Sequence, residues 1–168
     1  MRQRLLLVPQ CESPRVTEHW RLTKDGDPFV KALHERHYSS YQYKDGRTPM
    51  LFIGPGEKTV LATEQYDAAF GWRFFTDDFL KRPSLWCTFF RNESDVRSST
   101  LILEAERVAK ARWVDEDAYT IINPNKVRSS NPGCCYFKAG WVRFGLTAKG
   151  LIVLTKPSSK LGVETEPA

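Results

Sequence analysis

The chain has 168 residues, of which 41% are hydrophobic and 12% aromatic, enough to bury the core of a single domain. Its formal net charge of +5 and its pI of about 9.1 favour an anionic partner such as a nucleic acid or a phosphorylated cofactor. No apolar run approaches the roughly 20 residues needed to cross a bilayer, so a membrane role is not expected.

The first half of the chain predicts one helix. Asp27 followed by Pro28 is typical of a helix start, because proline suits the first helical position. Residues at helical spacing follow, and they are Phe29, Val30, Leu33 and His37. Together these signals predict a helix over residues 28–38.

Apolar runs predict the strands on either side of this helix. Residues 5–10 favour a short strand, and residues 68–75 favour a longer one. Between them, two apolar runs flank Gly54, Pro55 and Gly56, a turn signal that predicts a hairpin.

The stretch 85–113 is the most informative part of the chain. Residues 85–90 predict a buried strand, a polar loop follows, and a helix is predicted from an apolar stripe of Leu101, Ile102, Ala105, Val108, Ala109 and Trp113. The free N–H groups and the positive dipole end of such a helix bind anions. Arg91 and Arg97 add two charges, so a pyrophosphate fits here. An ordinary strand-to-helix connection capped by serine is the alternative.

The last third of the chain predicts one strand, a short helix over residues 132–139 ended by Gly140, and a closing hairpin. The predicted strands are residues 119–122, 142–146 and 151–154. The whole order predicts an α/β fold with a mixed, mostly antiparallel central sheet and helices on both faces. We expect a single domain over residues 1–157 and a flexible tail over residues 158–168.

The four cysteines are expected to be reduced. Cys11, Cys87, Cys134 and Cys135 lack the CxxC spacing of zinc sites, and the chain begins without a secretory leader, which predicts a cytoplasmic protein. The adjacent pair Cys134 and Cys135 invites a nucleophilic role. No local signature of an activated thiol accompanies the pair, so buried packing of one of them is favoured.

The predicted order of elements resembles that of the GNAT acyltransferase superfamily, in which the loop after the fourth strand holds the pyrophosphate of acetyl-CoA. The resemblance implies a GNAT-like domain that binds acetyl-CoA or a related acyl donor. The segment NPGCCYFKAGW at 131–141 resembles a second mark of the superfamily and puts Tyr136 in the place of the general acid. The implied cofactor-binding residues are Arg91, Asn92, Ser94, Val96, Arg97, Ser98 and Ser99.

A narrower resemblance covers residues 30–155. The ordered motifs RHYSS, GPGEKTVL, FFRNES, SSTLILEA, NPNKVRSSNPG, AGW and LTAKGLIVL are similar to those of phage Mom-type DNA-modification proteins. These GNAT-like enzymes place a carbamoylmethyl group on N6 of adenine in phage DNA, which protects it from restriction nucleases. The resemblance implies double-stranded DNA as the partner and the host-cell cytoplasm as the location. A homodimer is left open.

The Mom-type resemblance implies that His37 and Tyr38 lie in the active site near Asn131. A histidine with a pKa of about 6.5 suits the removal of a proton from an attacking amine. Two alternatives stay open: the pair ligates a divalent metal such as iron together with Asn131, or His37 only completes the hydrogen bonds of a helix end.

Basic and aromatic residues suit contact with DNA. Arg36, Lys126 and Arg128 are predicted to meet phosphates, although scattered charges also occur on solvated faces. One or two aromatic rings are expected to stack on an extruded base, and the rest to lie in the core. The candidates are Tyr41, Tyr43, Phe70, Trp72, Phe74 and Phe75.

Two other functions compete with DNA modification. The first is an acetyl-CoA-dependent N-acyltransferase that acts on a small amine, a protein or an already hypermodified base. The second is a basic DNA-binding module that keeps the scaffold but has lost its coenzyme loop.

Overall fold

The computed structural model describes residues 9–40, 43–47, 49–127 and 130–164. Some sequence predictions therefore lie wholly or partly outside the described residues. They concern Arg128 as a DNA contact, Tyr41 as a stacking ring, most of the strand predicted over residues 5–10, and residues 165–168 of the predicted tail.

Within the described part of the chain, seven strands form one sheet in the order β1-β2-β3-β4-β5-β7-β6. They are β1 (Arg21–Thr23), β2 (Glu57–Ala62), β3 (Ala68–Thr76), β4 (Pro83–Asn92), β5 (Ala118–Ile122), β6 (Val142–Leu146) and β7 (Ile152–Lys156). Neighbouring strands are antiparallel except for β4 and β5, which are parallel. The prediction of a mixed, mostly antiparallel α/β sheet is confirmed, and the GNAT-like assignment stays a prediction.

Three α-helices occur in the described residues: α1 (Pro28–Glu35), α2 (Ser98–Arg112) and α3 (Cys134–Lys138). Helix α1 begins as predicted, because a carboxylate oxygen of Asp27 accepts a hydrogen bond from the Phe29 amide at 2.9 Å. It ends three residues before the predicted Tyr38. Their lengths are 8, 15 and 5 residues, and the helices are fewer than the predicted cover of both faces requires, because only the short α1 packs against the second cluster. None of them has the length and apolar character of a membrane span.

The core lies in two main clusters. The large cluster contains Leu61 and most of the predicted stripe of α2, and the second cluster contains Val60 with Val30 and Leu33 of α1. Successive residues of a strand point to opposite faces of a sheet, and Val60 and Leu61 are adjacent in β2. The two clusters therefore lie on opposite faces, with α1 against one and α2 against the other.

The hairpin predicted around Gly54, Pro55 and Gly56 is wrong. Strand β2 begins only at Glu57 and pairs with β3 through a turn over residues 63–67. The apolar run before Gly54 is held differently: the amides of Phe52 and Ile53 donate to the Asp25 carboxylate. Ile53 then packs over Gly71, where any Cβ would collide with it. The apolar pattern here therefore reflects the burial of side chains and does not mark a strand.

The first part of the predicted tail contacts the domain. Ser158–Lys160 form a 3₁₀ turn, and Leu161 belongs to the large cluster with 1% of its surface exposed. The ammonium of Lys156 donates to the carbonyl of Val163 at 3.3 Å. This segment therefore closes the end of the core beside β7.

The parallel strands β4 and β5 diverge after a short pairing. They pair only from Leu85 with Ala118 to Cys87 with Thr120, although both strands continue beyond. Immediately after this pairing, β4 has a bulge at residue 88. Because of the bulge, Cys87 points toward the large cluster and Phe89 toward the second cluster, on the opposite face. The divergence leaves a gap in the sheet that side chains from other elements surround.

Candidate functional site

A cavity of about 480 Å³ opens where β4 and β5 diverge. Its walls come from the segment after α1, the ends of both strands, the loop after β5, and helix α3. We call the segment 37–39 the rim of this cavity, and Cys87, Thr120 and Tyr136, each less than a tenth exposed, its floor. Three of the four predicted catalytic residues, His37, Tyr38 and Tyr136, line this one space.

The histidine of the rim is neutral at pH 7. Burial, with the charges of His34 and Arg91, lowers the pKa of His37 to about 4. Its Nδ1 lies 2.7 Å from the Ser39 hydroxyl and accepts from the Ser39 amide at 3.2 Å, and this acceptance favours the tautomer with the hydrogen on Nε2. His37 is therefore a weaker base than the imidazole assumed from sequence, and Nε2 is a hydrogen-bond donor.

Ring contacts join the two side chains of the rim to each other and to β4. The rings of His37 and Tyr38 stack with centroids 4.4 Å apart, and the ring of Phe89 lies edge-on to His37 at 5.3 Å. Burial raises the pKa of Tyr38, opposed by a hydrogen bond from the backbone of Asn123. Tyr38 thus remains a neutral phenol that joins the rim to the loop after β5.

The floor depends on a glycine in the left-handed region. Gly133 precedes α3 with φ of 84°, and a Cβ there would lie 2.8 Å from the Cδ1 of Ile122. This close approach lets α3 begin directly against β5. The helix then carries Tyr136 into the gap between the strands.

The hydroxyl of Tyr136 lies 3.4 Å from the Cys87 sulfur. Burial raises the pKa of Tyr136 well above its ordinary value, and Thr120 provides an opposing hydrogen bond. The phenol therefore keeps its proton at any physiological pH. A protonated hydroxyl on the floor of a closed pocket is able to donate to a leaving group or to a bound carbonyl.

The thiols at the cavity are protonated. Burial raises the pKa of Cys87 to about 12, and it also raises the pKa of Cys135. Both line the cavity, whereas Cys134 is not among the lining residues. A thiolate is the nucleophilic form of cysteine, so this environment disfavours the nucleophilic alternative. Sequence reasoning missed Cys87 because it stands inside an apolar strand, between Trp86 and Thr88, with no ionisable neighbour to single it out.

Aromatic walls give the cavity flat apolar surfaces. Phe75 is the one predicted stacking ring among the described lining residues, and Trp86, Phe89 and Phe90 join it. Phe70 and Trp72 lie in the core, and Phe74 packs on Trp113. Exposed Tyr43 lies elsewhere. The wall formed by β4 went unrecognised because its apolar run was expected to be fully buried.

Charge at the cavity is sparse. Lys126, which was predicted to contact DNA, is the one lysine or arginine among the described lining residues, and it is exposed. Asp77 also lines the cavity, and its Oδ1 accepts from the amides of Phe79 and Leu80. The interior is thus close to neutral, with its cation at the edge.

The predicted phosphate loop is a separate structure. Asn92 organises it: its amide nitrogen donates to the Val96 carbonyl at 2.7 Å and to the Ser98 hydroxyl at 3.0 Å, and its oxygen accepts from Ser94. Arg97 occupies the N-cap of α2 and makes no side-chain capping hydrogen bond. The first amides of α2 are thus left without a side-chain cap, as an anion site requires. None of these loop residues lines the cavity.

Arg36 and Arg91 converge on one carboxylate. Arg36 binds Glu93 through two hydrogen bonds of 2.8 and 2.9 Å, and Arg91 binds it at 2.5 Å. These contacts lower the pKa of Glu93 to about 2. Arg36 was predicted to meet DNA and Arg91 to meet a donor phosphate, but both guanidinium groups are already engaged by one carboxylate within the protein.

Asn131 stands apart from the other predicted catalytic residues. It is exposed, its carbonyl accepts from the Cys134 amide at 3.1 Å, and it does not line the cavity. Among the described residues, no three His, Cys, Asp or Glu side chains come together as a metal site. The stacked pair of His37 and Tyr38 supplies at most two of the ligands that the metal alternative needs.

No protein-family model matches the chain, and no curated protein matches it. Function is therefore inferred from the chemistry of the cavity and of the loop beside α2.

Proposed function

We propose that the protein is a GNAT-like transferase that modifies a DNA base. The specific reaction we infer is carbamoylmethylation of N6 of adenine in phage DNA, which protects that DNA from restriction. The observation that carries this proposal is the cavity between β4 and β5, which gathers His37, Tyr38 and Tyr136 from segments far apart in sequence.

Two features of the fold support a GNAT-like assignment. The loop that joins β4 to α2 stands where that superfamily holds a pyrophosphate, and the N-terminus of α2 has no side-chain cap. Tyr136 stands where the superfamily has its general acid, and the hydroxyl is protonated. An activated donor held by its pyrophosphate at this loop would supply the transferred carbon, which for a carbamoylmethyl group is a saturated methylene.

The cavity suits a neutral planar acceptor. Its aromatic walls offer stacking surfaces to an extruded base. The ionisable Lys126 stands at the edge of the cavity and away from the place of the bound base. Neutral His37 presents an N–H that fits a ring nitrogen of a purine. The exocyclic amine of adenine is a poor nucleophile, so this orientation is a main contribution of the protein.

Proton transfer completes the proposed step. The amine nitrogen bonds to the carbon of the transferred group and loses one proton to solvent. The bond from that carbon to the leaving group breaks, the leaving group takes the proton of Tyr136, and Tyr136 regains a proton from solvent. Lys126 at the edge of the cavity contacts a phosphate that flanks the extruded base.

Nucleoside mass spectrometry tests the proposal directly. Plasmid DNA is recovered from bacteria that express the protein, and from bacteria that express His37→Ala at the same soluble level. We expect a heavier deoxyadenosine that is absent with the variant, and its mass shift identifies the transferred group. Unmodified DNA in the presence of soluble wild-type protein would contradict the proposal.

An acetyl-CoA-dependent N-acyltransferase on a small amine, a protein or a hypermodified base is the second candidate. The uncapped N-terminus of α2 favours it, since this feature serves any donor that carries a pyrophosphate. Acetyl-CoA at saturating concentration should then raise the melting temperature of the protein. No rise would instead favour a DNA-binding module without a coenzyme site.

A further inference from the structure

We propose that Glu93 is a positioning residue that holds the rim of the cavity in place through Arg36 and Arg91. Its effect on activity rests on the proposed function, but its effect on the rim does not. We call these three residues the clamp. Glu93 is the first residue after β4, and Arg36 immediately precedes His37.

The geometry of the clamp fixes orientation. The guanidinium of Arg36 meets both carboxylate oxygens of Glu93, with Nη2 at 2.8 Å and Nε at 2.9 Å. Such a two-pronged contact restricts both the distance and the angle between the groups. The backbone of Glu93 is itself held, because its amide donates to the Asp67 carbonyl at 2.7 Å. The carboxylate is thus a fixed point to which Arg36 is attached.

Arg91 secures the backbone at the same place. Its Nε lies 2.5 Å from Glu93, and its Nη1 donates to the carbonyl of Arg36 at 2.9 Å. That carbonyl is at the C-cap of α1, where a positive charge also complements the negative end of the helix dipole. The side chain and the backbone of Arg36 are therefore both tied to the end of β4.

The rim depends on this attachment because α1 ends at Glu35. His37 and Tyr38 follow outside the helix, where the helical ladder is reduced to a turn hydrogen bond from the His37 amide to the His34 carbonyl at 2.9 Å. His37 contacts β4 through the edge-on ring of Phe89, a contact with little directional control. The clamp supplies directional hydrogen bonds one residue away from the ring that must be placed.

The clamp contributes more to position than to stability. The side chains of Arg36, Arg91 and Glu93 are 49%, 32% and 31% exposed, and exposed ion pairs add little to the free energy of folding. Loss of the clamp should therefore loosen the rim and leave the fold intact. This combination distinguishes a positioning residue from a merely structural one.

Hydrogen exchange of Glu93→Gln tests the clamp without reference to any reaction. We expect amides in peptides covering residues 36–40 to exchange about tenfold faster, with peptides of α2 unchanged. The melting temperature should fall by no more than about 2 °C. Glu64→Gln is the matched control, because Glu64 also stands between two arginines, Arg15 at 3.8 Å and Arg21 at 3.3 Å. It should change none of these values.

Activity provides the second measurement. In the mass-spectrometric assay, Glu93→Gln should lower the yield of modified deoxyadenosine at least about tenfold, and Glu64→Gln should leave it unchanged. If wild-type protein modifies no DNA, the proposed function fails and the exchange data still decide the clamp.

Three results would overturn the inference. Unchanged exchange over residues 36–40 in Glu93→Gln would show that the rim does not depend on Glu93. Equal acceleration in all peptides would show a general structural role. Tighter binding of inorganic pyrophosphate by Glu93→Gln, with normal exchange at the rim, would make the two arginines an anion site that Glu93 merely occupies.

Discussion

The floor and the rim of the cavity are held by ion pairs of similar chemistry in opposite surroundings. Behind the floor, Glu106 of α2 and Lys156 of β7 form a fully buried pair at 2.7 Å. The same ammonium donates to the carbonyl of Ala139 at the C-cap of α3, at 2.6 Å. At the rim, Glu93 joins Arg36 and Arg91 at the surface.

This difference separates the two contributions of an ion pair, which are free energy of folding and orientation of the paired groups. A buried charge that loses its partner is strongly destabilising, because water cannot replace the lost contact. An exposed pair contributes little free energy but still sets direction. The buried pair therefore supports the helix that carries Tyr136 mainly through stability, and the clamp supports His37 mainly through position.

Lys156→Met should have the largest effect. It leaves the Glu106 carboxyl buried without a cation and removes the donor to Ala139, so at pH 8, above the Glu106 pKa of about 7, we expect the free energy of unfolding to fall by about 3–5 kcal/mol. Urea titration at this pH measures the loss. The double variant Glu106→Gln, Lys156→Met should lose clearly less, because no uncompensated charge remains. A loss below about 1 kcal/mol in the single variant would contradict this account of the floor.

Tyr136→Phe should have the next largest effect, and it should act on activity. It keeps the packed ring and removes only the hydroxyl beside Cys87, so we expect about 100-fold less modified deoxyadenosine and a stability change of about 1 kcal/mol. Tyr119→Phe is the control, since Tyr119 is also buried but binds Arg82 and does not line the cavity. Equal activity of the two variants would remove Tyr136 from the mechanism.

Much of this architecture follows from local sequence. The stripe of α2, the cap of α1 at Asp27 and the strands β3 to β7 each carry a periodic or capping signal within a few neighbouring residues. The positions of Glu93 and Lys156 carry no such signal. Glu93 meets Arg36 across 57 residues of sequence, and Lys156 stands at the end of an apolar strand where its contacts with α2 and α3 arise only from the fold.

The cavity shows the same limit. His37, Tyr38 and Tyr136 were singled out by motif, and the fold places them around one space. The divergence of β4 and β5 that creates this space depends on a bulge and on Gly133, neither of which the apolar pattern predicts. Cys87 and Thr120 were not predicted as floor residues for the same reason. Their neighbours depend on the face of the sheet to which each side chain points, and the apolar pattern does not give that face.

The pH dependence of stability should have opposite signs at the two carboxyl groups. Burial raises the pKa of Glu106 to about 7, so its contribution is complete below about 4.5 and is lost as the pH rises through about 7. The arginines lower the pKa of Glu93 to about 2, so its contribution is present above about 4.5 and is lost as the pH falls through about 2. Urea titrations of wild type, Glu106→Gln and Glu93→Gln across this pH range measure how much each carboxyl group contributes to the free energy of unfolding.

In these titrations, Glu106→Gln should remove the loss of stability between pH 5 and 8, within the window set by the pKa of about 7. Glu93→Gln should change the free energy of unfolding only at acid pH. The change should be smaller than that of Glu106→Gln, since the Glu93 carboxylate is partly solvated. If the free energy of unfolding of wild type rises from pH 5 to 8 and that of Glu106→Gln does not, the sign assigned to the Glu106 contribution is wrong.

The two arginines of the predicted phosphate loop should differ in a smaller way. Arg91 is occupied by Glu93 and by the carbonyl of Arg36, whereas Arg97 stands at the uncapped N-terminus of α2. Arg97→Ala should therefore weaken acetyl-CoA binding several-fold, by the roughly 1 kcal/mol of one solvent-exposed ion pair with a donor phosphate, and Arg91→Ala should weaken it less. Calorimetric titration compares the two affinities. A larger loss with Arg91→Ala would mean that the arginine leaves the clamp to bind the donor, and that rim and loop respond to the ligand together.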